Sequence, residues 1–410
     1  MPYNNKVAIN TQPLKGFRDF LPEDAQKRAW LRQIMIKVFE SWGYEPLETP
    51  TLESLEIFEG QIGEDEQNFY KFEDRGGRRV TLRYDQTVPT SRVIGNYSNQ
   101  IVFPFRRYQI QPAFRAENPQ SGRFREFTQS DIDIFGVLSP LADAEIIAVT
   151  LELYKKLGFK KVAALINNRD LLRDIPYPAL ASIDKLKKIG IEGVIGDMQT
   201  KGISTKKATE YIKKIESLKP DSSIKAIFKY LENYGIDKSW YRFEPTLARA
   251  LSYSQGPIWE IEISGYSAGS VGGGERYDDL VEKIGGVKIP GTGIGIGFDR
   301  TLEAVEQFGL LPENLRVTEV LVTVFSDELF AGSIIFAKKL RGKGVNTEVY
   351  PDPSVKLNKQ LKYADRKGIP YVAIIGPDEA KSNLVTLKNL TNNVQETLTP
   401  DQVITKLTNE

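Results

Sequence analysis

The stretch "FRAENPQSGRFREFTQSD", residues 114 to 131, places arginines, aromatic rings and acidic side chains around a small turn. Arg115 lies on one arm of the stretch. Arg123 and Arg125 lie on the other arm, and Phe127 follows them. A guanidinium is always charged, binds phosphate oxygens in pairs and stacks on rings. This spacing predicts a hairpin that binds a small anion with a planar end, too short for a nucleic-acid groove.

Composition restricts the chemistry of the whole chain. Its 410 residues include no cysteine and no histidine, and the formal net charge is +1. The missing residue types exclude disulfides, thiol nucleophiles, Ser-His-Asp triads and His-ligated metals. A net charge near zero means that local patches must bind any polyanion. The chain shows no signal peptide or membrane-spanning run, so we expect a cytoplasmic protein without a membrane partner.

Polar side chains alternate along one predicted strand of the site. Residues 124 to 136 read as a strand that carries Phe127, Gln129, Asp131 and Asp133 on one face of the pleat. Residues 78 to 87 are predicted to form another strand. The alternation indicates a sheet whose open side is a binding floor, although a solvated sheet face produces the same pattern.

Two glycine-rich stretches supply the rest of the predicted site. They are "VGGGERYDDL" (271 to 280) and "GTGIGIGFDRTLEAV" (291 to 305), a strand that leads into a helix with Arg300 at the junction. Alternate glycines leave one strand face without side chains, so a flat ligand can lie on the backbone, although helix packing is an alternative explanation. The residues together suit ATP. Arg115 and Arg300 can hold the α-phosphate and adenine, and Phe127 can stack on the base. Arg123 or Arg125 can bind the outer phosphates.

The coarse organisation predicts several segments. Residues 23 to 42 have helical apolar spacing, and the following stretch through Pro50 reads as an extended edge strand. Residues 185 to 238 are lysine-rich and helical, while 320 to 325, 346 to 351 and 371 to 376 read as strands of a separate α/β module. We expect a catalytic domain in two parts, residues 1–172 and 241–316. A helical insertion, residues 173–240, lies between them, and a recognition module follows at residues 317–410.

Several motifs resemble those of the class II aminoacyl-tRNA synthetases. "KGFRDFLPED" (15 to 24), "FRAE…GRFREF" and "GIGIGFDR" resemble the N-terminal signature, motif 2 and motif 3, and the region through Pro50 resembles motif 1. The histidyl-tRNA synthetase family is the most similar. Its histidine-specific motifs resemble "LRYDQTVPTSR" (82 to 92), "FTQSDIDIFG", "LARALSYSQGPIWE" (247 to 260) and "SVGGGERYD" (270 to 278).

This resemblance implies an α+β fold, with an antiparallel sheet flanked by helices, a helical insertion and a C-terminal anticodon-binding domain. It implies a histidine–tRNA ligase that uses ATP with Mg²⁺ to form histidyl-adenylate and then charges tRNA(His), with no metal held by the protein alone. It also implies a homodimer through the helix and strand near Pro50, since the apolar helix face would otherwise be exposed.

The resemblance also assigns roles to individual residues. Asp85 and Thr87 would receive the α-ammonium of histidine with help from Gln129, and Asp133 would accept the imidazole N–H. Arg249 would lie beside the carboxylate and the α-phosphate, where it stabilises charge without acting as a base. The predicted amino-acid site comprises Asp85, Gln86, Thr87, Arg115, Gln129, Asp133, Arg249, Tyr253 and Ser254. The predicted ATP site comprises Arg115, Glu117, Arg123, Arg125, Phe127 and Arg300, and the catalytic residues are Arg249 and Arg115.

Two positions depart from the family pattern. Where the family usually reads RGLDYYTG, residues 249 to 256 read RALSYSQG, so the second tyrosine, expected against the imidazole, is Ser254. Glu275 replaces a usual glycine before Arg276. These changes leave open a synthetase for another amino acid. A non-catalytic, histidine-binding paralogue is another alternative, but it is expected to lack the anticodon domain and the arginines of motifs 2 and 3.

Overall fold

The computed structural model describes residues 10–61, 63–119, 123–248 and 253–409. The described chain divides into two compact units. The larger contains the residues up to Phe20 together with Arg28–Leu311, and the smaller contains Leu21–Lys27 and the residues from Pro312 onward.

Strands of the larger unit form two sheets. In chain order they are β1 (Glu45–Pro46), β2 (Leu52–Ser54), β3 (Lys71–Glu73), β4 (Arg79–Leu82), β5 (Phe105–Phe114), β6 (Glu126–Phe135), β7 (Val162–Asn168), β8 (Tyr241–Phe243), β9 (Gln255–Ile263), β10 (Gly272–Arg276) and β11 (Gly291–Gly297). The main sheet has the order β1-β5-β6-β11-β10-β9-β7-β8, and the small one has the order β2-β4-β3. All neighbours in the main sheet are antiparallel except β1 with β5 and β7 with β8, at its two edges. The predicted antiparallel sheet is therefore present.

Helices cover one face of the main sheet. The helices of this part of the chain are α1 (Pro22–Ser41), α2 (Thr87–Asn96), α3 (Pro140–Lys156), α4 (Tyr177–Ile183), α5 (Leu186–Thr200), α6 (Thr205–Glu216), α7 (Ser222–Asn233), α8 (Leu280–Gly285) and α9 (Phe298–Gln307). Single 3₁₀ turns lie at Leu55–Ile57, Gly63–Asn68, Arg169–Leu172 and Lys238–Trp240. α3 begins at Pro140, where the Ser139 side chain accepts the N–H of Leu141 as a helix cap. Its buried apolar side chains share one core with alternate residues of β6 and β11, namely Ile132, Ile134, Ile294 and Ile296.

Three expectations for the N-terminal part of the chain are wrong in whole or in part. Residues 83–87 do not continue the strand predicted over 78–87, because β4 ends at Leu82 and α2 begins at Thr87. Pro50 lies between β1 and β2 and not inside a strand. The apolar face of α1 is also not left for a partner, because Leu31, Met35 and Phe39 are buried in the core of the same chain.

The predicted helical insertion is built from α4 to α7. One small core joins α4, α5 and α6, whereas Ile224, Ile227 and Leu231 of α7 belong to the core beneath the main sheet. Both helices are amphipathic, and α6 buries Ala208, Ile212 and Ile215. The boundaries at residues 173 and 240 remain a prediction.

The smaller unit contains a five-stranded sheet in its described part, with the order β13-β12-β14-β15-β16. Its strands are β12 (Val320–Val322), β13 (Thr347–Val349), β14 (Tyr371–Ile374), β15 (Val385–Asn389) and β16 (Gln395–Leu398). Its helices are α10 (Phe330–Arg341), α11 (Leu357–Lys367), α12 (Pro377–Ser382) and α13 (Pro400–Thr408). The three predicted strands are the parallel ones. The antiparallel β15 and β16 were not predicted.

Contact between α2 and α8 provides a test of the packing beside the site. A Cβ atom built on Gly95 would lie 2.6 Å from the Gly285 Cα. Gly95→Ala should therefore push the helices apart and lower the free energy of unfolding by about 1–3 kcal/mol. Gly196 of α5 is the matched control, because its added methyl would meet nothing within 4 Å.

Urea denaturation of both variants measures the difference. Gly196→Ala should be neutral or stabilising, by up to about 1 kcal/mol, since alanine is the better helix former. Equal stability of Gly95→Ala and wild type would show that the two helices can separate without cost.

Candidate functional site

The open face of the main sheet carries the predicted site residues in register. Gln129, Asp131 and Asp133 of β6 lie directly beside Gly297, Gly295 and Gly293 of β11. On the other side of β6 they pair with three long polar residues of β5, which are Gln111, Gln109 and Arg107. The isoleucines between them point to the opposite face and into the core. Strand β6 therefore faces the apolar core on one side and a polar surface on the other.

The glycines of β10 and β11 have different structural roles. A Cβ on Gly293 would lie 1.8 Å from Asp133 Oδ1, so the space that this glycine leaves is filled by the Asp133 carboxylate itself. A Cβ on Gly295 would lie 3.3 Å from both Asp131 Oδ1 and Gln129 Nε2. Gly274 serves packing, because its Cβ would collide with the Trp259 ring at 2.1 Å. Packing within the protein therefore accounts for Gly293 and Gly274, and ligand access along the glycine strands remains a prediction.

Asp133 is held from both sides within the protein. Arg107 Nη2 forms an ion pair with Oδ2 at 2.5 Å, and the Tyr277 hydroxyl donates to Oδ1. Both charged side chains are almost fully buried. Burial raises the pKa of Asp133, while Arg107 and the Tyr277 hydroxyl act in the opposite direction. The pairing of Asp133 with an arginine is therefore present, and its predicted contact with an imidazole remains a prediction.

Asp131 was not among the predicted site residues, although it lies on the same strand face as Gln129 and Asp133. It is 2% exposed, and no donor in the described part of the chain reaches its Oδ1. The Oε1 atoms of Gln86 and Gln129 are likewise buried without a donor there. Burial raises the pKa of Asp131 well above its usual range, and Asp133 and Asp85 raise it further. Unpaired buried acceptors are costly, so these atoms suit a ligand or an ordered water that donates hydrogen bonds.

The start of α2 brings three predicted residues to the edge of this floor. Asp85 accepts the backbone N–H of Val88 at 3.1 Å. Gln86 Nε2 donates to the backbone oxygens of Gln111 at 2.9 Å and Gln129 at 3.2 Å. Thr87 is the first residue of the helix and is partly buried. Burial raises the pKa of Asp85 to about 6, against the opposing effects of the Val88 N–H and of nearby arginines.

Arg115 and Phe127 lie together at the neighbouring end of the hairpin. The Arg115 guanidinium carbon is 5.1 Å from the centre of the Phe127 ring and 4.3 Å from the Tyr84 ring. The Arg115 Nε donates to the backbone oxygen of Tyr84 at 3.4 Å. These contacts fix an arginine beside an aromatic ring, as the sequence predicts for an anion with a planar end.

The two outer arginines of the hairpin have different surroundings. Arg125 Nε donates to the Glu117 backbone oxygen at 3.0 Å, and its backbone N–H donates to Gly16 at 2.9 Å. Gly16 has a φ of +90°, and a Cβ there would lie 2.8 Å from Arg125. Arg123 is exposed, with Nη1 3.4 Å from Glu117 Oε2. Arg125 therefore anchors the N-terminal segment, and Arg123 is the one with a guanidinium at the surface.

The junction of β11 and α9 is tied to the N-terminal segment. Asp299 Oδ1 accepts from Arg18 at 2.9 Å and from Arg28 at 2.6 Å, while Oδ2 accepts the Thr128 N–H at 2.8 Å. Arg300 follows, and its Nη1 donates to the backbone oxygen of Ser270 at 2.8 Å. Arg18 lies in the motif "KGFRDFLPED" and Asp299 in "GIGIGFDR". No local feature of the sequence indicates that the two residues form an ion pair.

The segment after β8 carries the remaining predicted residues. Arg249, in residues 249–252, lies outside the described residues. Tyr253 packs its ring edge against Tyr277, with 6.3 Å between ring centres. The Ser254 hydroxyl donates to Glu275, and both side chains are buried. The two positions that depart from the family pattern are therefore in direct contact.

The raised pKa of Asp85 predicts a pH-dependent stability. The pKa of Asp85 is about 6 in the folded state and 3.8 in the unfolded chain. Between these two pH values the unfolded chain gives up its proton more readily, so the free energy of unfolding falls as pH rises. Wild type should thus lose about 3 kcal/mol of stability relative to Asp85→Asn between pH 4 and pH 6.5, with little change above or below.

Paired urea denaturation curves at each pH test this expectation. Buried acids that do not interact with Asp85 titrate alike in both proteins and cancel in the difference; Asp131, whose pKa the Asp85 charge raises, is the exception. A difference that does not change with pH would contradict the raised pKa.

Comparisons with known proteins agree with this geometry. A family profile described as histidyl-tRNA synthetase matches residues 16–189, and one described as an anticodon binding domain matches residues 319–410. The histidine–tRNA ligase of Wolinella succinogenes is 38% identical, with 94% of this chain and 95% of the relative covered. That of Cytophaga hutchinsonii is 35% identical, with 96% and 98% covered.

Solved structures show the same fold. The crystal structure of histidyl-tRNA synthetase from Nostoc sp. has a TM-score of 0.84 and 29% identity, with 97% of this chain and 99% of that chain covered. A Bacillus halodurans protein described as an ATP phosphoribosyltransferase regulatory subunit/histidyl-tRNA synthetase has a TM-score of 0.71, with 87% of this chain and 97% of that chain covered. At 22% identity, this second likeness shows the fold alone. The predicted class II fold is confirmed, and the chain belongs to the histidyl-tRNA synthetase family.

Proposed function

We propose that this protein is a histidine–tRNA ligase, which activates L-histidine with ATP and transfers it to the 3′ terminal adenosine of tRNA(His). The observation that carries the proposal is the buried Asp131 carboxylate, with one oxygen unpaired above the glycine floor, in a chain similar to histidine–tRNA ligases over at least 94% of its length. An amino acid brings the cationic donor that such an oxygen lacks.

The ammonium group of the substrate binds at the start of α2. An ammonium has three N–H donors, and Asp85, Asp131 and the Gln129 amide oxygen supply acceptors of the required kind. Thr87 contributes a hydroxyl from the first turn of α2. An ionised ligand at this place also lowers the pKa values that burial raises in Asp85 and Asp131, because opposite charge favours the charged carboxylates.

The ATP molecule binds beside Arg115 and Phe127. Phe127 stacks on adenine, Arg115 and Arg300 hold the α-phosphate end, and Arg123 reaches the outer phosphates with Glu117 beside it. Arg125 supports this site indirectly, because its Nε donates to the Glu117 backbone oxygen. Mg²⁺ enters with the phosphates of ATP as part of the substrate.

The first chemical step joins the amino acid to the nucleotide. The histidine carboxylate attacks the α-phosphorus, the bond to pyrophosphate breaks, and histidyl-adenylate forms. The carboxylate carries no proton to be removed, so a chain without histidine needs no general base. Arg115 and the predicted Arg249 stabilise the negative charge that spreads over the phosphate. In the second step the terminal ribose hydroxyl attacks the carbonyl carbon and AMP leaves.

Partners follow from the two units. The smaller unit matches an anticodon-binding profile and ends α10 with the basic residues Lys338, Lys339 and Arg341, so it binds tRNA. Exposed apolar side chains of the small sheet, Leu52 of β2 and Phe72 of β3, support the homodimer expected near Pro50. None of the described helices is long and apolar enough to cross a membrane. The proposed activity belongs in the cytoplasm.

Retained arginines oppose the non-catalytic alternative. Arg115 and Arg300 are both present, and residues 319–410 match the anticodon domain that the paralogue is expected to lack. A synthetase for another amino acid rests on Ser254 and Glu275. ATP–pyrophosphate exchange with each of the twenty amino acids separates these functions. Exchange with histidine alone is expected, and exchange with a different amino acid would overturn the proposal.

Histidine activation should depend on Asp133. Asp133→Asn keeps the shape of the side chain but removes the charge that would accept a ring N–H, and sites built for a polar substrate lose selectivity strongly when such a group is lost. We expect a loss of roughly 100-fold or more in kcat/KM for histidine in pyrophosphate exchange, with ATP affinity within about twofold of wild type.

Two controls accompany this variant. Asp133→Ala should lose histidine activation as well, and Tyr277→Phe removes only the internal hydrogen bond to Asp133. Histidine-dependent exchange within a few-fold of wild type, or an equal loss of ATP binding by calorimetry, would assign Asp133 a purely structural role.

Removal of the smaller unit should separate the two steps. The proposed ATP and amino-acid residues lie at or before Arg300, so deletion of residues 317–410 should leave histidine-dependent pyrophosphate exchange within a few-fold of the full chain. Charging of tRNA should fall by at least about 100-fold, because the deleted part would supply the anticodon contacts. Undiminished charging by the folded, shortened protein would contradict the assigned role of this unit.

A further inference from the structure

The Asp299 carboxylate is shared by four segments of the larger unit. Its Oδ1 accepts from Arg18 Nη2 at 2.9 Å and from Arg28 Nη1 at 2.6 Å. Its Oδ2 accepts the backbone N–H of Thr128 at 2.8 Å. Arg28 Nη2 also donates to the Thr128 hydroxyl at 2.8 Å. One side chain therefore joins the N-terminal segment, α1, β6 and the first turn of α9.

The register of the main sheet explains why a carboxylate is placed here. β11 ends at Gly297, which pairs with Gln129, so Thr128 lies one residue beyond the ladder between β6 and β11. Thr128 is 7% exposed, and a buried backbone N–H must find an acceptor. Asp299 Oδ2 is that acceptor, in the place that a further residue of β11 would otherwise take. The carboxylate thus continues the pairing past the point where α9 begins.

The bond between Asp299 and Thr128 lies between two groups proposed to bind ATP. Thr128 directly follows Phe127, and Asp299 directly precedes Arg300. A Cβ atom built on Gly297 would lie 3.5 Å from the Arg300 Cβ and 3.6 Å from its Cδ, so this arginine lies beside the last glycine of the strand. The bond therefore fixes Arg300 of α9 relative to Phe127 of β6.

Two guanidinium groups hold the carboxylate in this place. The Arg18 guanidinium carbon is 3.3 Å from the centre of the Phe124 ring, on the second arm of the hairpin. That of Arg28 is 4.0 Å from the centre of the Phe20 ring. A planar, always charged group can stack on a ring and donate hydrogen bonds along its edge. Both arginines and Asp299 are partly buried, so solvent screens these ion pairs less than it would at an open surface.

We propose that Asp299 is a positioning residue for ATP, which holds Arg300 and Phe127 at the separation that the adenine and the α-phosphate require. It acts through these two neighbours and in this role touches no substrate atom. The two arginines that bind it keep its carboxylate on the Thr128 N–H. This inference deepens the proposed function and rests on it, since it concerns the site to which that function assigns ATP.

The first test compares Asp299→Asn with wild type. The asparagine keeps the shape of the side chain but not its charge, so Arg18 and Arg28 no longer hold it against β6. The KM for ATP in histidine-dependent pyrophosphate exchange should rise roughly tenfold or more. The KM for histidine should stay within about twofold of wild type, because Gln129 and Asp131 remain in the ladder with β11. An unchanged KM for ATP, or an equal rise in both KM values, would overturn the inference.

Glu145→Gln is the matched control. Glu145 of α3 accepts from Arg106 Nε at 2.6 Å and Nη2 at 3.0 Å. Arg106 pairs with Ile134, at the end of β6 far from Thr128. This variant should also lose stability in urea, while its KM for ATP stays within about twofold of wild type. A comparable rise of the KM for ATP in this control would assign Asp299 a role in stability alone.

A double-mutant cycle tests the link to Arg18. Arg18→Met removes the charge but retains an apolar contact with the Phe124 ring, and it should raise the KM for ATP several-fold. In the Asp299→Asn background the same change should add less than about twofold, because the carboxylate through which Arg18 acts has lost its charge. Effects that multiply independently would refute this link. If Asp299→Asn does not fold, an unchanged KM for ATP in Arg18→Met overturns the inference.

Direct binding of ATP separates this inference from the proposed function. Calorimetry with ATP alone needs no amino acid, and Asp299→Asn should again lose roughly tenfold in affinity. If wild type and the variant bind ATP equally while wild type exchanges pyrophosphate with histidine, the role of Asp299 is refuted and the proposed function is retained. Wild type without histidine-dependent exchange refutes the proposed function itself.

Discussion

Burial of like charges on one sheet face is the constraint that organises the site. Asp131 and Asp133 are successive residues on the open side of β6, and both are almost completely removed from water. Desolvation of an ionised carboxylate is expensive unless a partner compensates it. Arg107 and Tyr277 compensate Asp133 from inside the protein. Asp131 Oδ1 has no such donor in the described chain, and on the proposed function the substrate's ammonium group supplies one.

The same constraint explains the surrounding glycines and isoleucines. Strand β11 must run beside the acids without adding side chains to their face, yet it must complete the apolar core on its other face. Alternation of glycine with Ile294 and Ile296 meets both requirements in one strand. A methyl at Gly293 would displace the Asp133 carboxylate and break its ion pair. The glycine run is therefore a condition for the charge arrangement as well as a possible surface for a ligand.

Much of this arrangement was predictable because it depends on local periodicity. The period of two in β6 and β11 predicted the strands and the shared face of Gln129, Asp131 and Asp133. Contacts between distant segments were not predictable in the same way. Arg107 lies in a strand with no notable motif, and its pairing with Asp133 depends on register across two strands. The helix that begins at Thr87 was not predicted, because residues 78 to 87 read as a strand; the Asp85 carboxylate, which accepts the Val88 N–H, marks its start. The exposed apolar face expected of α1 was wrong because periodicity shows that a face is apolar but not what covers it.

The chain contains no histidine, and the site reflects this in its use of carboxylates, arginines and tyrosines. Ribosomes can translate these 410 residues without a single histidyl-tRNA. If the proposed function is right, translation of these residues does not consume histidyl-tRNA, the product that the enzyme itself makes. The bound amino acid would also contribute the only imidazole in the complex with this chain, so proton magnetic resonance could follow its ring without background from the protein.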